Sequence, residues 1–222
     1  MGFTIHDVSF IKCEKESETS SIFQVSLQGR MCIMKVYHAF EKRSWYPTHR
    51  EVDPFLCEYK AYTRLKERGL CEQGTIPDFY GVIEKIDPNQ CRPHLNGFLE
   101  DELLPCAILL EYVPNMHEIH LTTYTEDRAA TLLQILREIH KAWVYHGDPY
   151  PRNMMVQPET GRVLWIDFDR AQTFPTGPIT DRQHGWMEDD TLMTVDLLDR
   201  LGQDVKTGKL ERAYPYYYYG AP

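Results

Sequence analysis

Two polar motifs lie close together late in the chain, His146–Asn153 (HGDPYPRN) and Ile166–Asp169 (IDFD). Asp148 belongs to a proline-bearing loop, Asn153 follows it five residues later, and Asp167 comes directly after an apolar run typical of a strand. Phosphoryl transfer needs one carboxylate near the attacking hydroxyl and separate oxygens that hold Mg²⁺. A single Asp in a loop is more often a turn or capping residue, so only the combination indicates this chemistry.

These motifs resemble those of the protein-kinase-like superfamily, and more closely its small-molecule branch, the aminoglycoside and choline phosphotransferases. The Asp–x4–Asn spacing is that of the superfamily's catalytic loop. The Gly between His146 and Asp148, and Asp169 in place of the last Gly of Asp-Phe-Gly, both fit the small-molecule branch. The resemblance implies ATP and Mg²⁺ as cofactors. It also implies that Asp148 orients or deprotonates the acceptor hydroxyl and that His146 orders the loop. Asn153 and Asp167 would hold the Mg²⁺.

The nucleotide-binding residues that the resemblance implies lie in the first half of the chain. Lys35, in the strand-like segment CIMKV, resembles the superfamily's phosphate-binding lysine. Glu58, on the predicted helix that follows, is placed to pair with it, since a buried Lys needs a partner. The segment LEYV, which contains Glu111 and Val113, resembles the hinge whose backbone groups pair with adenine. The alternatives are an edge-strand Lys35 with a solvated Glu58, and a plain buried strand end.

Two features depart from the superfamily pattern. The segment that should cover the phosphates, Glu14–Ser21, contains no glycine. Its hydroxyls and backbone N–H groups could donate to phosphate, but its glutamates would repel it, and an exposed acidic turn is the alternative. After Asp169 the chain continues for too few residues to build the peptide-docking helices of a protein kinase. Substrate recognition is therefore expected to be abbreviated, supplied by a partner, or absent. Arg170 and Glu188–Asp190 are local contacts at most, and an exposed helix face is the favoured interpretation for the acidic stretch.

Hydrophobic periodicity predicts the elements that position these motifs. A helix is predicted from Pro54 to Gly69, and segment 87–105, rich in Pro, Asn and acids, is predicted to be an exposed excursion. Further strands and helices are predicted at 8–13, 22–28, 31–38, 79–84 and 106–113 (strands), 125–141 and 187–201 (helices), and 154–156 with 163–166 (a hairpin). The tail 214–222 is predicted to be either disordered or docked.

Together these elements predict an α+β, bilobal protein-kinase-like fold. Residues 1–113 would form an N-lobe of antiparallel sheet plus one helix that binds the nucleotide. Residues 114–222 would form a truncated, mainly helical C-lobe with the catalytic loop and the metal-binding hairpin.

The composition of the 222 residues is that of an ordinary globular chain, with 42% hydrophobic and 26% charged residues. The net charge of −9 argues against nucleic acid and against an anionic membrane surface as partners. No apolar run is long enough to span a membrane. The six cysteines lack zinc spacing and are expected to be reduced, mostly buried thiols of a cytoplasmic protein.

We therefore expect an ATP- and Mg²⁺-dependent phosphotransferase that acts on a hydroxyl of a small molecule, with a protein as the less favoured substrate or partner. Three alternatives remain: a catalytically inactive, pseudokinase-like scaffold, a minimal protein Ser/Thr kinase, and a kinase fold used for different chemistry. The glycine-free segment favours the scaffold, whereas the joint presence of the expected catalytic and metal-binding residues disfavours it.

Overall fold

The computed structural model describes residues 2–41 and 45–218. They form two compact units, the first comprising Met1–Lys60 and Asp78–Tyr112 and the second Ala61–Pro77 and Val113–Pro222. The first unit is a sheet with the start of one helix, and the second is mainly helical. This is the α+β architecture that the periodicity predicts, with its antiparallel five-stranded sheet.

The sheet of the first unit has the strand order β1-β2-β3-β5-β4, with every neighbouring pair antiparallel. Its strands are β1 (Val8–Glu16), β2 (Ser20–Leu27), β3 (Arg30–Tyr37), β4 (Phe79–Ile83) and β5 (Cys106–Glu111). The β2–β3 hairpin turns at Gln28 and Gly29, which have φ of 50° and 85°, as a two-residue turn between twisted strands requires. Alternating burial along β2 gives this sheet one core face.

Helix α1 (Pro54–Glu67) follows β3 and has a capped start and a glycine stop. The Asp53 carboxylate accepts hydrogen bonds from the N–H groups of Phe55 (2.9 Å) and Leu56 (3.4 Å). Such a cap satisfies donors that have no partner inside the helix. Gly69, at φ 82°, ends the helical segment, as the sequence predicts.

The prediction of an exposed excursion at 87–105 is wrong at its buried apolar positions, although most residues of the segment are exposed. This segment contains two 3₁₀ helices, Pro88–Cys91 and Asn96–Phe98. Cys91, Leu95 and Phe98 are buried and pack with the apolar face of the sheet. These three residues have the i, i+4, i+7 spacing of one helical face, but Pro93 and Gly97 within that span argue against a regular helix.

The second unit contains the strands β6 (His117–Glu118), β7 (Val144–Tyr145), β8 (Met154–Gln157), β9 (Arg162–Trp165) and β10 (Gln172–Thr173), and the helices α2 (Glu126–Lys141), α3 (Asp181–Thr207) and α4 (Tyr214–Tyr218). The strands make two small sheets, β6-β8-β9 and β10-β7. The buried stripe of α2 lies over this part of the core, and the Trp165 indole N–H donates to the Leu132 carbonyl of α2 (2.9 Å).

Helix α3 is longer than the 187–201 predicted from its apolar stripe. It begins with a capping box made by Thr180 and Gln183 and ends at Gly208, whose φ is 71°. Both ends are polar, so hydrophobic periodicity detects only the packed middle of the helix, whereas the caps define its true length.

The tail is docked as far as Tyr218, and residues 219–222 lie outside the described residues. Asp204, buried near the end of α3, accepts three backbone hydrogen bonds, from Glu211 (3.0 Å), Arg212 (3.0 Å) and Ala213 (2.9 Å). Burial alone would raise the pKa of this carboxyl, but the three N–H donors lower it. This clamp fixes the start of α4.

All six cysteines are free thiols, and four of them are buried (Cys32, Cys57, Cys71 and Cys91). In the described ranges 2–41 and 45–218, no helix combines the length and apolar character needed to cross a bilayer.

Candidate active site

The loop that carries Asp148 is short and closed on itself. The Asp148 carboxylate is 4% exposed and accepts a 2.6 Å hydrogen bond from the Asn153 amide nitrogen. The same Nδ2 also donates to the Asp148 carbonyl at 2.9 Å. Arg152 Nη2 contacts both carboxylate oxygens, at 2.7 and 2.9 Å. The one-turn 3₁₀ helix Pro151–Asn153 produces this geometry, because it folds Asn153 back over Asp148.

Asp167 is attached to the same framework through the backbone. Met154 and Trp165 are paired in the β8–β9 ladder, and the Ile166 N–H donates to the Asn153 carbonyl at 3.0 Å. Asp167 itself has φ 65°, a left-handed conformation that costs a non-glycine residue roughly 1 kcal/mol or more. The structure therefore brings Asp148, Asn153 and the backbone of Asp167 together in the second unit.

His146 connects the two motifs from the inside of the core. It is fully buried, and its Nδ1 accepts from the Asp148 N–H (3.3 Å) while its Nε2 lies 3.2 Å from the Ile166 carbonyl. An N–H donor on one side and a carbonyl on the other fit the neutral ring with its proton on Nε2. Burial lowers the pKa of His146, in agreement with this tautomer.

Asp190 of α3 accepts hydrogen bonds from the backbone of the catalytic loop, and this role is not predicted from the sequence. Its Oδ2 accepts hydrogen bonds from the N–H groups of His146 (3.0 Å) and Gly147 (3.3 Å), and His140 Nε2 lies 3.4 Å away. The expected exposed acidic face is thus wrong at this position. Asp190 is 2% exposed, although Glu188 and Asp189 before it are exposed. A signal was present, because position 190 falls on the buried stripe of α3.

Glycine is the one residue type that fits position 147 of the loop. Its φ is 77°, and a Cβ built on it would lie 2.7 Å from the Arg170 carbonyl oxygen. The close approach positions Arg170, whose Nη1 lies 3.7 Å from Asp148 Oδ1. Two guanidinium groups, from Arg152 and Arg170, therefore stand beside this carboxylate.

The first unit contains the predicted lysine–glutamate pair. Lys35 Nζ lies 3.0 Å from Glu58 Oε2, and the two side chains are 7% and 1% exposed. The Tyr37 hydroxyl also donates to the Glu58 carboxylate. The alternatives of an edge-strand Lys and a solvated Glu are excluded, because β3 lies between β2 and β5 and both residues are buried.

The chain passes from the first unit to the second after Tyr112, between the predicted hinge residues Glu111 and Val113. Glu111 is the last residue of β5; its N–H donates to the Asp78 carbonyl (2.8 Å) and its Oε2 accepts from the Asp78 N–H (3.1 Å). Val113 is buried. Their role in binding adenine stays a prediction.

Comparison with known proteins gives one family match, over the part of the chain that contains the Asp148 loop. Residues 100–185 match the model of the family described as Lipopolysaccharide kinase (Kdo/WaaP) family. The matched segment includes Asp148, Asn153 and Asp167. The chain is a protein-kinase-like phosphotransferase. No match was found among curated proteins. The closer likeness to aminoglycoside and choline phosphotransferases stays a prediction.

The glycine-free segment of this kinase-like chain comprises the end of β1, a tight turn and the start of β2. The Ser17 N–H donates to the Ser20 carbonyl (2.9 Å), and the Ser20 N–H donates to the Ser17 hydroxyl (3.1 Å). The Ser17 hydroxyl in turn donates to the Ser20 carbonyl (2.9 Å). These donors are engaged within the turn, which weakens the expectation that they bind phosphate.

The candidate site offers few ligand atoms for a cation. Among residues 2–41 and 45–218, no group of three or more His, Cys, Asp or Glu residues is arranged to hold a metal ion. Asn153 directs Nδ2 to Asp148, so its amide oxygen is the atom left for a cation. One amide oxygen with the Asp167 carboxylate suits Mg²⁺, which takes its other ligands from phosphate and water.

Proposed function

We propose that the chain is an ATP- and Mg²⁺-dependent phosphotransferase that transfers the γ-phosphoryl group to a hydroxyl of a small molecule. The observation that carries this proposal is the buried contact between Asp148 and Asn153 on one closed loop. This contact fixes the position of the Asp148 carboxylate relative to the Asn153 amide oxygen. The carboxylate can then orient the acceptor hydroxyl while the amide oxygen binds a phosphate-bound cation. The buried Lys35–Glu58 pair supports it, because a buried ammonium serves well as a phosphate ligand.

The proposed step is a single displacement. The acceptor oxygen forms a bond to the γ-phosphorus, the bond from that phosphorus to the β,γ-bridging oxygen breaks, and ADP leaves with the electron pair. Asp148 orients the hydroxyl and takes its proton. Lys35, fixed by Glu58, holds the nucleotide phosphates, and the backbone at Glu111 and Val113 pairs with adenine. Mg²⁺, held by Asn153 and Asp167, would neutralise charge on the phosphate oxygens.

The two guanidinium groups beside Asp148 add a role that the sequence does not suggest. Arg152 stacks on the Tyr150 ring, with its guanidinium carbon 4.4 Å from the ring centroid, and keeps its charge next to the carboxylate. Positive charge at that place stabilises the equatorial oxygens of a phosphoryl group in transfer. A sugar hydroxyl is the acceptor that the name of the matched family suggests, and a protein acceptor is the less favoured one.

The second candidate function is a nucleotide-binding scaffold without turnover. The observation that favours it is the closed turn at Ser17–Ser20. The N–H groups of Ser17 and Ser20 and the Ser17 hydroxyl donate within this turn, and the flanking strand carries Glu14 and Glu16. This turn offers less to the phosphates than a glycine-rich loop would, since such a loop presents free backbone N–H groups.

The test is ADP formation from MgATP, with binding followed separately by thermal shift. Asp148→Asn is expected to retain nucleotide binding and to lower kcat by ~10²–10⁴, the usual contribution of a general base. Asp167→Ala should abolish the Mg²⁺ dependence of binding, and Lys35→Ala should weaken binding of ATP. Asp189→Asn, an exposed carboxylate on α3, is the matched control and should behave as the native chain does.

Binding of MgATP without turnover, with any acceptor, would favour the scaffold. Turnover that survives Asp148→Asn unchanged would remove Asp148 from the mechanism.

A further inference from the structure

The second unit contains an open cavity, lined by residues with polar side chains, that the proposed function does not use. It has a volume of about 400 Å³ and is lined by His117, Glu118, His120, Thr122 and Thr123. We name it the β6 pocket, because its first two residues form that strand. A cavity of this size is large enough for a monosaccharide-sized ligand.

The frame of the β6 pocket is held by hydrogen bonds within its own turn. The Thr123 hydroxyl accepts from the His120 N–H (2.8 Å) and donates to the Glu118 carbonyl (3.0 Å). The Thr123 carbonyl accepts from Arg128 of α2 at 2.8 Å. Side chains on such a braced turn are presented at small entropic cost, which is the condition for selective binding.

The β6 pocket is attached directly to the catalytic loop. The Ile119 N–H donates to the carbonyl of Met154, the residue after Asn153, at 2.7 Å. Glu118 is paired with Met155 in the β6–β8 ladder, and β6 packs against the 3₁₀ helix Pro151–Asn153. A ligand in the pocket is therefore bound beside the loop that carries the proposed base.

Helix α4 supports the pocket from the other side. The Tyr217 hydroxyl donates to the Ile119 carbonyl at 2.6 Å, and its ring meets the His120 ring edge to face at 5.3 Å between centroids. Burial raises the pKa of the Tyr217 hydroxyl, so it remains a donor. Helix α4 also packs against the 3₁₀ helix Pro151–Asn153. The backbone of Ile119 is thus held at its N–H by the strand after the catalytic loop and at its carbonyl by the tail.

The lining selects by hydrogen bonding rather than by a fixed positive charge. It offers one carboxylate, two imidazoles and the Thr122 hydroxyl, since the Thr123 hydroxyl is used within the turn, and none of the five described lining residues is Lys or Arg. A carboxylate accepts hydrogen bonds from hydroxyl groups, and imidazoles exchange hydrogen bonds with them. An anionic ligand would meet Glu118 without a compensating guanidinium or ammonium in the lining, which disfavours it.

We propose that the β6 pocket is the acceptor subsite, that it takes an uncharged, hydroxyl-rich small molecule, and that Glu118 and His120 determine its specificity. The inference depends on the proposed phosphotransferase function. Tyr217 is a positioning residue, since it acts through His120 and Ile119.

The experiment measures ADP formation from MgATP by the full chain with four added probes: myo-inositol, D-glucose, D-gluconate and choline. The first two are uncharged polyols, and the others carry negative and positive charge. We expect the polyols to accelerate ADP formation. Glu118→Ala and His120→Ala should each raise the KM for the polyol at least about tenfold, as expected for a lost hydrogen bond to a charged or strongly polar group, and should raise the KM for MgATP far less.

Two further variants control this test. Glu159→Ala removes an exposed carboxylate in the β8–β9 turn and should leave the KM for the polyol unchanged. Tyr217→Phe keeps the ring on His120 but loses the bond to Ile119, so the KM for the polyol should rise less than in His120→Ala, with kcat for the same polyol nearly retained. Binding is followed independently of turnover by the imidazole NMR signals of His117 and His120 during titration with myo-inositol in the presence of MgADP.

Several results would overturn the inference while leaving the proposed function intact. One is ATP turnover that depends on Asp148 but is accelerated by gluconate or choline rather than by the polyols, or by none of the probes. Another is a rise in the KM for MgATP that exceeds the rise for the polyol, which would assign the pocket to the nucleotide. Absence of any ATP turnover would contradict the proposed function, and unperturbed imidazole signals would then exclude the subsite as well.

Discussion

Removal of the Lys35 charge tests whether the buried pair of the first unit serves stability, catalysis or both. The two side chains are 7% and 1% exposed and lie 3.0 Å apart, so Lys35→Met leaves the Glu58 carboxylate buried without its ammonium partner. Loss of one member of a buried pair costs about 3–5 kcal/mol. We expect the lower end of that range, since the Tyr37 hydroxyl still donates to Glu58.

A second substitution separates charge from catalysis. In Lys35→Met/Glu58→Gln no charge is left to bury, and the Gln side-chain oxygen still accepts from Tyr37. The double variant should therefore recover about 2 kcal/mol of the free energy of unfolding lost in Lys35→Met, because the uncompensated charge is gone. Its ATP turnover should stay as low as in the single variant, because the phosphate ligand is still missing.

Urea denaturation followed by tryptophan fluorescence gives the stabilities, and ADP release gives the turnover. Lys60→Met is the matched control. Lys60 lies on the same helix as Glu58 and pairs with Glu51 at 2.6 Å, but it is 46% exposed, so a cost below about 1 kcal/mol is expected. The reasoning fails if the double variant is no more stable than Lys35→Met. It also fails if either variant turns over ATP at the native rate.

Three further predictions concern the catalytic loop. Asp190→Ala leaves the N–H groups of His146 and Gly147 without their acceptor and should lower the free energy of unfolding by roughly 2–5 kcal/mol in urea titrations, whereas exposed Asp189→Ala should change it by less than about 0.5 kcal/mol; equal effects would contradict the assigned bonds. Gly147→Ala should cost roughly 1–3 kcal/mol or more and lower kcat, because φ is 77° and the new Cβ would meet the Arg170 carbonyl; native stability would exclude this packing. Burial lowers the pKa of His146 below its ordinary value of 6.5, so the folded state binds fewer protons than the unfolded state; the free energy of unfolding should fall as pH decreases below 6.5, and His146→Gln should remove that part of the slope.

The residues that could be predicted from the sequence are those whose chemistry is local. Asp148 and Asn153 lie within one short motif, and their types and spacing already indicate their use. The α+β class follows from strand-like and helix-like periodicity, and α2 agrees with its prediction within one residue at its start. Lys35 is predicted from its resemblance to the superfamily's phosphate-binding lysine, and Glu58 because a buried ammonium needs a carboxylate on a neighbouring element.

What the sequence did not reveal depends on contacts between distant or irregular segments. The buried apolar residues of segment 87–105 have helical spacing, but Pro93 and Gly97 interrupt it, and the spacing alone does not show that they pack on the sheet. The closed turn at Ser17 could not be distinguished from an open one, because both have the same composition. The ends of α3 are defined by the Thr180 cap and Gly208 rather than by apolar residues.

Asp190 shows that the geometry of the catalytic loop depends on a residue far from it in the sequence. The loop from His146 to Asn153 is held by links to backbone atoms, through Asp190 at its start and the Ile166 N–H at its end. His146 adds a third link, to the Ile166 carbonyl. Hydrogen bonds to backbone atoms do not depend on the side chains within the loop, but they require a buried acceptor at position 190. A carboxylate satisfies both loop N–H groups with one oxygen, whereas an aliphatic residue of similar size would leave both donors unpaired in the core. The geometry at Asp148 therefore depends on α3 as much as on the loop's own sequence.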